Sequence, residues 1–232
     1  MVEIKGLEKF GPKDFPGYIS STIFVGGCNF RCPYCHNSEL VLRADRVPSF
    51  PLDYFLSFLD SRKGWLEGIC VTGGEPLLHE DLEVLLSIIK DRGLLVKIDT
   101  NGSFPLRLEK LIDKGLVDRV AMDIKNSWEK YERTVGVKVK ISEIKKSIDV
   151  IKNSGLDYIF RTTAVPGLVE EEDIRKISLM LNGSKTFQIQ QFSPNNTLDE
   201  LYRQRKPYSN QEIEAMVKIA RAYFEQVRVE GI

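Results

Sequence analysis

Apolar and polar positions follow two periods along this chain. Short runs rich in Ile, Val and Phe, typical of buried strands, alternate with stretches in which apolar residues recur every three to four positions, typical of amphipathic helices. The predicted strands lie at residues 18–26, 66–72, 94–100, 117–125, 156–165, 185–193 and, briefly, 227–231. The predicted helices lie at residues 51–62, 79–93, 106–115, 141–155, 170–181 and 210–226.

This alternation gives about six βα units without a low-complexity segment or an obvious linker between them. Alternating strands and helices favour an α/β fold, with a parallel sheet and helices outside it. Six units are fewer than the eight of a closed barrel, so the pattern predicts an open, partial (β/α)6 barrel. A doubly wound sheet is the structural alternative. We expect a single domain over residues 1–232.

Composition and charge narrow the possible partners. The chain has 232 residues, of which 42% are hydrophobic, and its 33 Lys and Arg equal its 33 Asp and Glu in number. A balanced charge provides no long-range field to attract nucleic acid or an anionic membrane. No apolar run approaches the ~20 residues of a membrane span, and the N-terminus lacks the pattern of a signal peptide. We therefore expect a cytoplasmic protein that binds neither nucleic acid nor membrane.

Polar or glycine-rich sequence follows each predicted strand. In parallel α/β folds, reactive groups gather at the carboxyl edge of the sheet. Each of these strings by itself is also typical of an ordinary turn or helix cap. The strings at or after the ends of the second to sixth strands are TGGEP (72–76), DTNG (99–102), MDIK (122–125), RTTAVPG (161–167) and QQFSPNN (190–196).

The first strand is followed by CNFRCPYCHNS (28–38), which contains three of the four cysteines, Cys28, Cys32 and Cys35. CPYC alone is typical of a glutaredoxin dithiol, but that fold has about half this length. CPYCH satisfies the rule for covalent haem attachment, which usually belongs to exported proteins and would leave Cys28 without a role. In a reducing compartment, such a cluster indicates metal binding or catalysis more than a disulfide.

Zinc and iron remain as metals for this cluster. A structural zinc site needs four ligands, and His36 adjoins Cys35 so closely that both side chains would have difficulty reaching one ion. Cys70 lies within a predicted strand and is better interpreted as a small buried apolar residue. Three thiolates instead suit a four-iron cluster in which one iron has no protein ligand and is open to chemistry.

The spacing C28-x3-C32-x2-C35, with Tyr34 before the last cysteine, resembles the signature of the radical S-adenosylmethionine (SAM) enzymes. The resemblance implies a partial (β/α)6 barrel of the radical SAM type. It also implies a [4Fe-4S] cluster that holds SAM and cleaves it to a 5′-deoxyadenosyl radical. TGGEP is similar to the GGE motif of that family, which implies that Gly73, Gly74 and Glu75 bind the methionine part of SAM. Tyr34 and His36 would then lie near its adenine side.

DTNG, MDIK and RTTAVPG resemble the glycyl-radical-enzyme activating enzymes within that family. The resemblance implies that Lys125 contacts the SAM carboxylate, with Arg161 as a further anion contact. It also implies that two aspartates hold the cofactor or a nearby monovalent cation. Pyruvate formate-lyase activators carry a histidine near the end of the sixth strand, where this chain has only polar candidates. The further residues implied are Asp99, Asn101 and Asp123, and the candidates for the missing histidine are Gln191, Ser193 and Asn195.

The opening of the chain, together with VAMDIK, FRTTAV and QQFSPNNTLD, most resembles the short activating proteins of anaerobic ribonucleoside-triphosphate reductase. This implies hydrogen abstraction from a glycine of that reductase, with electrons from a flavodoxin- or ferredoxin-type reductant. The partner is expected to contact rim loops near 28–38 and 190–208, including Arg203, Arg205 and Lys206. Two alternatives stay open: a small-molecule radical SAM enzyme such as a 7-carboxy-7-deazaguanine synthase, and a non-catalytic iron-sulfur electron-transfer protein.

Overall fold

The computed structural model describes residues 2–231. The chain forms two compact units, each built from separate segments. The first unit contains residues 2–29, 39–100 and 104–120, and the second contains residues 30–38, 101–103 and 121–231. The single domain expected from the sequence stays a prediction.

The first unit is built on a mostly parallel sheet. Its strands are adjacent in chain order, β1 being antiparallel to β2, while β2, β3 and β4 are parallel. These strands are β1 (Ile4–Glu8), β2 (Ser20–Val25), β3 (Gly68–Gly73) and β4 (Leu95–Thr100). The helices that begin or lie in this part of the chain are α1 (Ser38–Leu42), α2 (Leu52–Ser61), α3 (Leu82–Lys90) and α4 (Pro105–Asp113).

The second unit repeats the same strand and helix alternation. The first two residues of β5 (Arg119–Asp123) belong to the first unit, and its last three belong to the second. The later strands β6 (Asp157–Ala164), β7 (Thr186–Gln191) and β8 (Gln226–Glu230) pair in parallel. The helices are α5 (Tyr131–Val135), α6 (Ile141–Asn153), α7 (Glu171–Met180) and α8 (Asn210–Ala220).

Helix α3 shows why these segments fold as they do. Its buried residues are Leu82, Leu85, Leu86 and Ile89, a spacing of three and four that places them on one face. Each buried Leu or Ile contributes about 1.5–3 kcal/mol of transfer free energy. Lys90 in the last turn is favourable at the negative end of the helix dipole.

Every strand and helix predicted from the sequence overlaps an observed one, and the α/β fold with a mostly parallel sheet is confirmed. β1 and the short helices α1 and α5 were not predicted from the sequence. β1 contains Lys5, Gly6 and Glu8 and lacks a strand pattern, so its conformation depends on pairing with β2. No helix among residues 2–231 has the length and apolar character needed to cross a bilayer.

Candidate active site

In the first unit, the Gly-Gly-Glu turn after β3 packs on the segment that leads to Cys28. The Gly74 amide donates a hydrogen bond to the Val25 carbonyl, and the Glu75 amide donates one to the Gly27 carbonyl, both of 2.8 Å. A Cβ on Gly74 would overlap the Gly27 carbonyl oxygen, so only glycine fits there. Because Cys28 follows Gly27, these bonds fix the start of the cysteine loop on the turn.

Glu75 is buried, with 1% of its surface exposed. Its Oε1 accepts hydrogen bonds from the Leu77 amide at 3.1 Å and from the Thr100 hydroxyl at 2.7 Å. The carboxylate is therefore held at the carboxyl ends of β3 and β4. A buried carboxylate fixed in this way suits the acceptor role toward an ammonium group that the sequence predicts.

Two side chains that the sequence analysis did not single out support this turn. His79 Nε2 lies 2.8 Å from the Gly26 carbonyl oxygen, and Arg107 Nη1 donates to the carbonyls of Leu77 and Leu78 at 2.8 and 2.7 Å. Nothing in the local sequence marks either residue. Both also line an open cavity of about 350 Å³ beside α3 and α4.

A buried ion pair lies on β4. Lys97 and Asp99 are 3% and 9% exposed, and the Lys97 Nζ is bonded to Asp99 Oδ1. Cys70 Sγ lies 3.6 Å from both groups. The sequence analysis missed Lys97, although its spacing from Asp99 is the same as that of Asp123 and Lys125 and gave the same signal. Cys70 is fully buried in β3, as its apolar neighbours predicted.

In the second unit, the rest of the cysteine loop is anchored from two sides. The Cys35 amide donates to the Cys32 carbonyl at 3.0 Å, which forms a tight turn. The Arg31 amide bonds to the carbonyl of Val135 at the end of α5, and the Asp199 amide bonds to the Pro33 carbonyl at 2.9 Å. Burial raises the pKa of the Cys35 thiol, so binding to a metal would have to displace its proton.

Tyr34 lies between Cys32 and Cys35 in the sequence, and its side chain is buried. Among the residues that the structure describes, its hydroxyl has no hydrogen-bond partner, and burial raises its pKa well above the ordinary value. A buried hydroxyl without a partner is costly and suggests a ligand that supplies one. The neighbouring His36 is exposed as a residue, and partial burial of its ring lowers its pKa, while a hydrogen bond with the Ser193 backbone opposes that shift.

A charged trio is formed by Asp123 and Lys125 at the carboxyl end of β5 and by Arg161 within β6. Lys125 Nζ lies 3.0 Å from Asp123 Oδ2, and Arg161 Nε lies 2.8 Å from Asp123 Oδ1. Burial raises the pKa of Asp123, but the charges of Arg161 and Lys125 outweigh it and hold the pKa at about 2. Burial lowers the pKa of Lys125, yet the charge of Asp123 keeps it well above the ordinary value. The trio carries one net positive charge, which suits a ligand carboxylate.

The side chains of two other predicted site residues form hydrogen bonds with backbone groups. Gln191 Nε2 donates to the Tyr208 carbonyl at 2.6 Å, and its Oε1 accepts from the Phe192 amide at 3.1 Å. Asn101 Oδ1 accepts from the Ser103 amide at 3.0 Å and shapes the turn after β4. Contact of either side chain with a cofactor stays a prediction.

The metal predictions divide into a cluster and a cation. Within residues 2–231, no three His, Cys, Asp or Glu residues form a group that would hold a single metal ion. The two aspartates predicted beside a cation are ion-paired, Asp99 with Lys97 and Asp123 with Lys125 and Arg161. The monovalent cation is therefore not supported by this structure. A four-iron cluster differs from a single ion, since its three thiolates bind three different irons.

Similarity to known proteins shows the family of the chain. Residues 22–181 match the family model of the Radical SAM superfamily. A Methanocaldococcus jannaschii protein whose name assigns it to the glycyl-radical enzyme activating enzymes is 33% identical over 234 residues, 99% of this chain and 96% of its own length. The pyruvate formate-lyase-activating enzyme of Clostridium pasteurianum is 28% identical over 241 residues, 97% of this chain and 96% of its own.

Among solved structures, SuiB of Streptococcus suis bound to S-adenosylmethionine is similar with a TM-score of 0.69 at 16% identity. The similarity covers 88% of this chain and 48% of SuiB, so the chain spans about half the length of that protein. This likeness concerns the fold. The superfamily implies a [4Fe-4S] cluster and SAM as cofactors, which the glycine-lined turn, the Tyr34 hydroxyl and the cationic trio fit. The chain therefore belongs to the radical SAM superfamily, and it is an enzyme with radical SAM chemistry related to the glycyl-radical enzyme activating enzymes.

Proposed function

We propose that this enzyme activates a glycyl-radical enzyme. A reduced [4Fe-4S] cluster bound here would supply the electron that cleaves SAM to methionine and a 5′-deoxyadenosyl radical, and that radical would take a hydrogen atom from a glycine of the partner to give 5′-deoxyadenosine. The observation that carries the proposal is the 33% identity, over 99% of the chain, to a protein named for this activity. The chain keeps DTNG, MDIK and RTTAVPG at the ends of β4, β5 and β6, where a cofactor of this size would be bound.

Cys28, Cys32 and Cys35 are the proposed ligands of the cluster. Three thiolates leave one of four irons open for SAM. The Gly27 carbonyl ties the start of the loop to the Glu75 amide, and the Pro33 carbonyl ties its centre to Asp199. Each bond fixes the part of the loop that lies in its own unit.

The residues proposed to bind SAM carry charges opposite to those of the SAM groups they would contact. Glu75 offers a buried carboxylate to the ammonium group, and Lys125 with Arg161 offers positive charge to the carboxylate. The Tyr34 hydroxyl is a buried group that gains a partner when SAM binds. The remaining proposed contacts, which rest on resemblance, are Gly73, Gly74, His36, Asp99, Asn101, Asp123 and Gln191.

The partner surface is proposed to be the rim formed by the loops near residues 28–38 and 190–208. Leu201 is 72% exposed on this rim, and Arg203 and Lys206 are also exposed. Arg205 has a structural use instead, because it lies 4.3 Å from the Tyr202 ring centroid and donates to the Pro166 carbonyl. Hydrogen abstraction requires the reacting atoms within about 3–3.5 Å, so the glycine loop of the partner must enter past this rim.

The proposed target is anaerobic ribonucleoside-triphosphate reductase, because the opening, VAMDIK and QQFSPNNTLD resemble its activators. Pyruvate formate-lyase is the second candidate, supported by the 28% identity to its activator over 97% of this chain. The polar Gln191 and Ser193 stand where the formate-lyase activators carry histidine, which favours the reductase. We propose a flavodoxin or ferredoxin as the electron donor and the cytoplasm as the location, without a nucleic-acid or membrane partner.

The test is an anaerobic assay of the reconstituted, dithionite-reduced enzyme with SAM and either purified target. A doublet glycyl radical signal in electron paramagnetic resonance, on the reductase and not on formate-lyase, is expected. A signal on formate-lyase alone would reassign the target. SAM cleavage with turnover of a purine precursor and no protein radical would favour the small-molecule alternative. Absence of any SAM cleavage would favour the electron-transfer protein.

Cysteine variants supply the matched control for this assay. Cys32→Ala should abolish SAM cleavage, because it removes one of the three proposed cluster ligands. Cys70→Ala should retain iron and SAM cleavage, because Cys70 is buried in β3 outside the loop. Equal loss of iron in both variants would contradict the assignment of the ligands.

A further inference from the structure

Asp99 is a buried carboxylate whose counter-charge comes from the chain itself. An ionised carboxylate in a buried site requires an opposite charge or several hydrogen-bond donors. The Lys97 ammonium is bonded to Asp99 Oδ1, and 96% of the Lys97 side chain is removed from solvent, its exposure being 4%. A bound K⁺ or Na⁺ would have to share the same carboxylate with this ammonium, and the two positive charges would repel each other.

The register of the sheet explains why Lys97 stays in place. Cys70 of β3 pairs with Lys97 of β4 and with Thr22 of β2 in the same row. All three are buried, and Cys70 Sγ lies 3.6 Å from both the Lys97 Nζ and the Asp99 Oδ1. A long side chain enclosed by a row of small residues has little freedom to leave its partner.

Asp123, the second aspartate predicted beside a cation, is also neutralised by cationic side chains of its own unit. Asp123 lies 3.0 Å from Lys125 and 2.8 Å from Arg161. Each predicted cation ligand therefore has a side-chain cation as its counter-ion, and a free metal cation does not fit at either.

We propose that Lys97 is a tethered replacement for a monovalent cation at Asp99. Its role is to position: the ammonium neutralises and orients Asp99 without touching the reacting atoms. The inference goes beyond the proposed activity, because it concerns the ionic requirement of the folded enzyme and holds for any target. It predicts an enzyme whose stability and SAM binding do not depend on K⁺ or Na⁺.

The first measurement compares the wild-type, anaerobically reconstituted enzyme in KCl, NaCl and tetramethylammonium chloride at equal ionic strength. Tetramethylammonium is the size control, because it is too large to enter a buried site. The melting temperature and the SAM dissociation constant are expected to be the same in all three salts. A melting temperature or SAM affinity that requires K⁺ or Na⁺ in the wild type would overturn the proposal.

The second measurement uses Lys97→Met, which keeps most of the side-chain volume and removes the charge. Its melting temperature should fall by roughly 6–20 °C in tetramethylammonium chloride, the range expected for breaking a buried ion pair. K⁺ or Na⁺ should restore at least half of this loss in a saturable manner, because a ligand of the folded state stabilises it by mass action. If the variant folds only in part, its refolding yield in the three salts is measured instead, and no difference between them would refute the inference.

Two controls separate this effect from general salt stabilisation. The double variant Lys97→Met/Asp99→Asn has no charge at positions 97 and 99, so its melting temperature should not distinguish K⁺ from tetramethylammonium. Lys90→Met breaks the partly exposed ion pair with Asp118, which has a distance of 2.8 Å, in the same unit. Cation-specific recovery of Lys90→Met equal to that of Lys97→Met would also refute the inference. Neither readout requires radical chemistry, so failure here and failure of the proposed activity are distinguishable.

Discussion

The amide of Glu75 donates a 2.8 Å hydrogen bond to the carbonyl oxygen of Gly27. This contact joins the turn proposed to bind the methionine part of SAM to the residue before Cys28. Within the first unit, the bond therefore couples the turn to the start of the cysteine loop, so a disturbance of the turn should be felt at Cys28.

Gly74→Ala should reduce cluster retention. The added Cβ would overlap the Gly27 carbonyl oxygen, a backbone atom that cannot rotate away. We expect reduced iron and sulfide content after anaerobic reconstitution. Gly6→Ala is the control, because the Cβ there would meet only the Phe24 side chain, at 3.1 Å. Full iron content in Gly74→Ala would contradict the coupling between turn and loop.

Lys125→Met should weaken SAM binding at least tenfold while leaving the protein folded. The loss of stability should be below the 3–5 kcal/mol typical of a broken buried pair, because Asp123 retains Arg161 at 2.8 Å. Isothermal titration with SAM and urea unfolding measure the two effects. Lys130→Met is the matched control: it breaks the 2.7 Å pair with buried Asp173 and should cost stability without changing SAM affinity. Unchanged SAM affinity in Lys125→Met would refute its proposed role.

Tyr34→Phe should leave the free energy of unfolding of the apo protein unchanged or raise it by about 1 kcal/mol, because it removes a buried hydroxyl that lacks a partner within residues 2–231. The same variant should bind SAM more weakly if the hydroxyl gains its partner there. Tyr208→Phe is the comparison, since its hydroxyl donates to the Val169 carbonyl at 3.1 Å and its loss should destabilise the protein. A destabilised Tyr34→Phe with normal SAM affinity would indicate a structural hydroxyl.

Asp123 should stabilise the folded protein at neutral pH and lose this effect in acid. Its pKa is about 2 in the folded state, below the ordinary value of 3.8. A lowered folded-state pKa contributes stability that is present above the unfolded pKa and is lost as the pH falls toward 2. The contribution is about 2 kcal/mol. The stability difference between wild type and Asp123→Asn, from urea unfolding, should therefore shrink between pH 6 and pH 3.

The surface aspartate Asp149 of α6 provides the control for this measurement. Asp149→Asn should have the unfolding free energy of the wild type at both pH values. A difference between wild type and Asp123→Asn that stays constant from pH 6 to pH 3 would show that the carboxylate of Asp123 is not held by its two cations.

The sequence by itself determined the order of strands and helices, because burial of one face imposes a periodicity that can be read locally. It also located the chemistry, since three cysteines spaced for an iron-sulfur cluster and polar strings at strand ends are local patterns. The ion pair between Asp123 and Lys125 could also be predicted from the sequence, because residues two apart at a strand end face the same side.

Only the tertiary structure decided which side chains far apart in the sequence form ion pairs and which of them hydrogen-bond to the backbone. Arg161 reaches Asp123 from β6, Gln191 is held by Tyr208 seventeen residues later, and Arg205 packs on the Tyr202 ring and donates to the carbonyl of Pro166. Strand β1 exists through its pairing with β2. These contacts depend on strand register and packing between distant segments, which no local period specifies.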